Sequence, residues 1–87
     1  MANIVRPKTV EVTAGATYNT TVGSRSVDFL YVGTVDAVTL LGSSLGSTPV
    51  PLPPSIPFTL EYNDNGYDFI IVDNTGGDAS VFIVEKL

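Results

Sequence analysis

The chain has no cysteine and no histidine among its 87 residues. That excludes disulfide staples, thiolate metal sites and imidazole acid–base chemistry, so stability has to come from packing or from a partner. Cations are scarce as well, with 4 Lys and Arg against 9 Asp and Glu and a formal net charge of -5. An acidic surface repels phosphate backbones. Arg6, Lys8, Arg25 and Lys86 form no run, so the expectation is no nucleic-acid binding through counterion release. Long apolar runs are also missing. The longest charge-free stretch, residues 37–60, is broken by Pro, Gly and Ser at a density no spanning helix tolerates. The expectation is no membrane insertion, and with no basic segment leading into an apolar one at the start, nothing marks the chain for secretion.

Chemistry is equally sparse. Without His or Cys, a hydrolytic site needs a Ser–Lys pair or two facing carboxylates, yet both lysines lie in the terminal segments and no carboxylate pair stands at a telling spacing. The chain reads as non-catalytic and without a cofactor. Glu61-x-Asn63-x-Asn65-Gly66 echoes the first half of a calcium loop, but the twelfth position, where a bidentate Glu belongs, is Val72. It reads instead as a hairpin turn, since Asn-Gly populates left-handed conformations readily. The Gly- and Ser-rich run from Gly42 to Thr48 lacks the lysine of a phosphate cradle and reads as a flexible loop.

What the chain does contain is alternation with period two. Thr9 to Thr13 sets Val10 and Val12 against Thr9, Glu11 and Thr13; a weaker strand from Thr17 to Val22 shares Tyr18, Thr20 and Val22 on one face. Val27 to Val32 places Val27, Phe29 and Tyr31 opposite Asp28, Leu30 and Val32, and Val38 to Leu41 follows as a short strand. Ile56 to Tyr62 alternates again, with Ile56, Phe58, Leu60 and Tyr62 inward. The Asn63–Gly66 turn is then expected to pair this strand with Tyr67 to Asp73, and a last strand from Ala79 to Leu87 carries Val81, Ile83, Phe82 and Val84 on both faces. About seven short strands with frequent turns predict a single all-β domain, a small antiparallel β-sandwich or partly closed barrel over residues 9–87, behind an N-terminal arm at 1–8. Strands apolar on both faces either lie between layers or present one face to a partner. The four tyrosines, by their registers, read as core or rim packing, the alternative being an aromatic sugar platform.

Five of the six prolines fall between Gly46 and Pro57. Proline has no amide hydrogen for a sheet ladder, so residues 43–57 are expected to form a proline-rich loop joining two sheets. Two roles remain open for it. It is a stiff crossover, or a docking surface in which rigid prolines hold out Val50, Leu52 and Ile56, with prolines lowering the ordering cost of binding. Pro51-x-x-Pro54 lacks the flanking cation of an SH3 ligand.

The strand at Thr9 to Thr13 with Ala14-Gly15-Ala16, the Val38-Thr39-Leu40-Leu41-Gly42 strand and the Val50-Pro51-Leu52-Pro53-Pro54 element leading into Ile56-Pro57-Phe58-Thr59-Leu60 form a pattern. With Tyr67-Asp68-Phe69-Ile70-Ile71-Val72 and the final Val-rich strand, it resembles the small β-sandwich proteins that decorate phage capsids or serve as tail and head-fibre accessories. Where such proteins often carry a Leu-Pro-x-Gly bend, this chain has Ser55. The resemblance implies a virion structural role: a capsid decoration or cement subunit, homo-oligomeric, bound to a major capsid or tail protein and located in the virion after assembly in the host cytoplasm. The alternative it leaves is a carbohydrate- or receptor-binding module of a fibre or tail. The expected partner interface is Ile4, Val5, Leu45, Val50, Pro51, Leu52, Pro53, Pro54 and Ile56.

Overall fold

The structure is a computed structural model that describes residues 7–21, 25–42, 48–61 and 69–86. It is all-β, with β1 (Pro7–Val12), β2 (Thr17–Asn19), β3 (Ser26–Tyr31), β4 (Thr39–Leu41), β5 (Val50–Pro51), β6 (Phe58–Glu61), β7 (Ile71–Asp73) and β8 (Val81–Lys86). Two antiparallel four-stranded sheets face each other, one in the order β1-β8-β3-β6 and the other β2-β7-β4-β5. This is the sandwich rather than the barrel. Among the described strands, only the β4 to β5 connection stays within one sheet, so almost every connection between them carries the chain over the core.

The period-two reading explains which side chains make that core. Antiparallel register sets inward residues side by side in rows, and in the first sheet one row is Val10, Ile83, Phe29 and Phe58, with Val12, Val81 and Tyr31 next to it. In the second sheet, Tyr18, Val72, Leu40 and Val50 form the corresponding row. Val27, Phe29, Tyr31, Leu40, Val72, Val81 and Ile83 are buried, and Val10, Tyr18, Val50, Phe58 and Leu60 pack at the margin of this cluster. The Phe29 and Phe58 rings meet tilted, with centroids 6.4 Å apart.

Three expectations change. The strand over Phe58–Glu61 does not form a hairpin with the one at Ile71–Asp73: β6 pairs with β3, and β7 lies in the other sheet between β2 and β4. The Asn63–Gly66 turn itself lies outside the described residues. Its local propensity does not decide the pairing, because β3 and β7 each belong to a different apolar layer. Secondly, β1 starts at Pro7 rather than beyond the arm, a first-residue, edge-strand position at which proline's missing amide costs no ladder bond. Thirdly, the proline segment is not all loop. Val50–Pro51 pairs with β4 through Leu40 and Thr39, and Pro51 sits on the outer edge of that sheet.

Two polar side chains tie the layers together. Asn74 is buried and donates from Nδ2 to the carbonyls of Val12 and Ala79, both at 2.9 Å. Those two donations fix the orientation of its amide; its Oδ1 is buried without a hydrogen-bond partner among the described residues. Glu85 shares the inward parity of Val81 and Ile83 and is fully buried at the end of β8. It accepts from the Tyr18 hydroxyl at 3.1 Å and from the Thr21 amide at 2.5 Å, so a carboxylate of one sheet clamps the β2 end of the other.

Candidate functional site

The proline segment is best built from β4 outward. The Leu52 amide donates to the Val38 carbonyl (2.9 Å), which continues the β4–β5 pairing by one residue and turns the Leu52 side chain into the core. Leu52 is 0% exposed. The expectation that Leu52 is held outward as part of a contact surface is therefore corrected: alternation along β5 sends Pro51 out and Leu52 in. Val50 lies in the inward row beside Leu40 and is half-buried, so it too belongs to the core margin rather than to a projecting surface.

Beyond Leu52 the chain crosses to the first sheet. Pro54 makes an isolated parallel bridge with Tyr31, and the Ser55 amide donates to the Tyr31 carbonyl at 2.7 Å. Ser55 has φ 62°, the left-handed conformation that favours glycine. The chain bends sharply there, with a serine in a conformation that glycine adopts most readily. After it Ile56 points out at 57% exposure, contrary to the inward placement that simple alternation with Phe58 predicts. The reversal at Ser55 breaks the alternation, and regular period two resumes only at β6. Of the remaining expected interface residues, Pro51 is exposed and Pro53 and Pro54 are half-buried, whereas Ile4, Val5 and Leu45 lie outside the described residues.

Together Pro51, Pro53, Pro54 and Phe58 line a shallow groove of about 390 Å³, with Asp36 at its margin. Its walls are stiff, three of them prolines and the fourth a ring packed on Phe29. Asp36 reaches it from the loop after β3. That loop is pinned by Asp78, whose carboxylate accepts from the Thr34 hydroxyl (2.7 Å), the Tyr31 hydroxyl (2.7 Å) and the Thr34 amide (2.8 Å). The Thr34 hydroxyl, then the Tyr31 hydroxyl and the loop amides, hold Asp78 well below the usual carboxylate range. Burial, reinforced by Asp78, raises the Tyr31 phenol. Gly33 has to be glycine here, because a Cβ would collide with the Asp78 carboxylate and the Tyr31 hydroxyl.

A second surface feature runs along the outer face of the first sheet. Leu30 and Phe82 stand opposite each other on β3 and β8, Val84 follows on β8, and Val32 continues the row past the end of β3. Phe82 is 40% exposed and Val32 45%. Polar groups border the stripe. Lys86 pairs with Asp28 at 3.2 Å, Thr59 donates to Asp28 at 2.8 Å, and the Ser80 hydroxyl donates to Glu11 at 2.7 Å. The Thr59 hydroxyl lowers the Asp28 pKa most, burial opposes it, and Lys86 adds to the lowering, so the net shift is downward.

Tyr31 is buried, with its hydroxyl engaged by Asp78, and Tyr18 is half-buried with its hydroxyl on Glu85. These two form no exposed aromatic platform, and Tyr62 and Tyr67 lie outside the described residues. No three His, Cys, Asp or Glu side chains gather as metal ligands among the described residues.

Asp36, Phe82 and Val32 are surface residues outside the expected partner interface. The signal for Phe82 and Val32 was present in the doubly apolar faces of their strands. For Asp36 there was none, because only the crossing of the proline segment to Tyr31 brings it beside Pro51. No protein-family model matches the chain, and neither a curated protein nor a solved structure matches it.

Proposed function

We propose that the protein is a non-catalytic virion structural subunit, a decoration or cement protein that attaches to a phage shell through the apolar outer face of the β1-β8-β3-β6 sheet. The observation carrying this reading is the stripe of Leu30, Phe82, Val84 and Val32. The buried cluster is built from the inner face of that sheet, whereas on the outer face Leu30 and Val84 stay partly exposed and Phe82 and Val32 exposed. A solvated antiparallel face normally alternates to polar residues, and contiguous apolar surface rimmed by polar groups marks a protein contact. Ile56 adds to the same end of the sheet, since the Ser55–Tyr31 hydrogen bond places it beside the end of β3 from which Val32 continues. The shell as partner comes from the resemblance in strand pattern and proline element. Attachment of many copies to a repeating surface also suits a rigid small domain, which loses little conformational freedom on binding.

Co-sedimentation of the purified protein with shells lacking it tests the reading. Phe82→Asp costs about 1–2 kcal/mol of stability, since it sets an Asp on an interior strand opposite Glu11, and at a temperature where the variant is fully folded it reduces shell binding at least about tenfold. Unchanged binding by this variant, or no binding by wild type to shell or tail protein, refutes the proposal.

A further inference from the structure

We infer that the proline groove receives residues 4–6 of a second copy of this chain, with Ile4 in the groove and Arg6 against Asp36. The groove is apolar on four sides and carries one carboxylate, Asp36, which is exposed and makes no ion pair among the described residues. An occupant that matches it is an apolar side chain with a cation close by. Three of the four cations in the sequence fit poorly. Lys86 is paired with Asp28, Lys8 lies over the Tyr18 ring at 5.9 Å and 4.0 Å from Glu85, and Arg25 stands between serines. Arg6 follows Ile4 and Val5 directly. A residue before proline is biased to extended conformations, and in an extended segment residues two apart share a side. An extended Ile4–Arg6 segment on a partner copy would offer an aliphatic group and a cation on one side, which is what the groove and Asp36 present.

The register rules out the same chain as donor. Pro7 stands opposite Lys86, Lys86 opposite Ser26 and Ser26 opposite Glu61, so Pro7 marks one corner of the first sheet. Phe58 lies three residues further along β6 and three strands across, and Pro54 bridges still further along at Tyr31. With about 3.4 Å per residue and about 4.8 Å per strand, Phe58 is roughly 18 Å from Pro7 and Pro54 roughly 22 Å. Arg6 is only one peptide, about 3.8 Å, from Pro7. Pro7 and the groove therefore sit at diagonal corners of the sheet, and the contact runs head-to-tail between copies. The groove is distinct from the Phe82 stripe, so self-association and shell attachment fail independently.

Sedimentation velocity on the full chain decides the matter. Wild type self-associates, whereas D36R and R6D each weaken association at least about tenfold by setting like charges together. An equimolar mixture of R6D and D36R regains it, because each chain then meets a groove of opposite sign. Titrating a synthetic Ala-Asn-Ile-Val-Arg-Pro peptide into the D36R and parent chains, followed by the Phe58 ring NMR signals, gives a second readout that does not depend on assembly. Shifts in the parent and not in D36R support the assignment. A wild type that stays monomeric, association indifferent to both reversals, a mixture that does not recover, or a peptide that leaves Phe58 unmoved overturns it. Loss of shell binding by Phe82→Asp with self-association intact bears on the proposed function alone.

Discussion

Replacing Leu52 with Ala separates a core role from a surface role for the proline segment. Leu52 is fully enclosed, with its amide bonded to Val38. The substitution removes three carbons from a dry site. At about 0.8 kcal/mol each this is roughly 2.4 kcal/mol of lost transfer free energy, before the cavity contribution. The prolines on either side limit collapse of the surroundings, so the total falls at about 3–4 kcal/mol, within the range for buried Leu to Ala. A chain of this length has a total stability of roughly 4–13 kcal/mol, so the loss is a large fraction of it. At about 4–8 °C per kcal/mol for a domain this small, Tm falls by roughly 12–30 °C. Ile56→Ala serves as the control four residues away. Ile56 is 57% exposed, and its removal changes stability by less than about 0.5 kcal/mol. Urea unfolding followed by circular dichroism measures both, with an unchanged m-value as the check that the denatured state is the same. A Leu52→Ala loss below about 1 kcal/mol, or an equal loss for Ile56→Ala, refutes the inward placement of Leu52 and with it the β4–β5 pairing that turns it in.

The Asp78 cluster gives the protein an acid limit. Its folded pKa is depressed, so its contribution is fully present above the ordinary carboxylate value of 3.8. That contribution shrinks below this value and is lost as pH falls through the folded pKa. Asp78→Asn is expected to flatten the stability-versus-pH curve below that point, and a slope identical to wild type counts against it. Glu85→Ala leaves the Tyr18 hydroxyl and the Thr21 amide without their buried acceptor, and about 2–4 kcal/mol of stability should go. Glu11→Ala on the exposed face should cost less than about 0.5 kcal/mol, and comparable losses in chemical denaturation would show that the clamp is not holding the sheets.

The groove could not be read from the chain in order. Pro51, Pro53 and Pro54 were visible as a rigid element, and Phe58 as the start of a strand. Their meeting with Asp36 depends on the Pro54–Tyr31 bridge and on the loop held by Asp78, both contacts between residues far apart in sequence. Glu85 was legible by parity, because it follows Val81 and Ile83 at the same period. Only its polarity argued against an inward position, and the donors that permit it come from Tyr18 and Thr21 at the other end of the chain.

Local sterics and period two acted within each strand, so the sequence alone determined that the fold is all-β and that Val27, Phe29 and Tyr31 share one face of their strand, as Val81 and Ile83 do of theirs. Which face turns to the core was left to the tertiary structure. Strand pairing is a choice among distant partners, settled by which apolar faces can close one core together. Only the tertiary structure therefore decided that β6 joins β3 instead of β7. The same closure decided that Leu52 fills the interior while Ile56, past the left-handed turn at Ser55, is left to solvent.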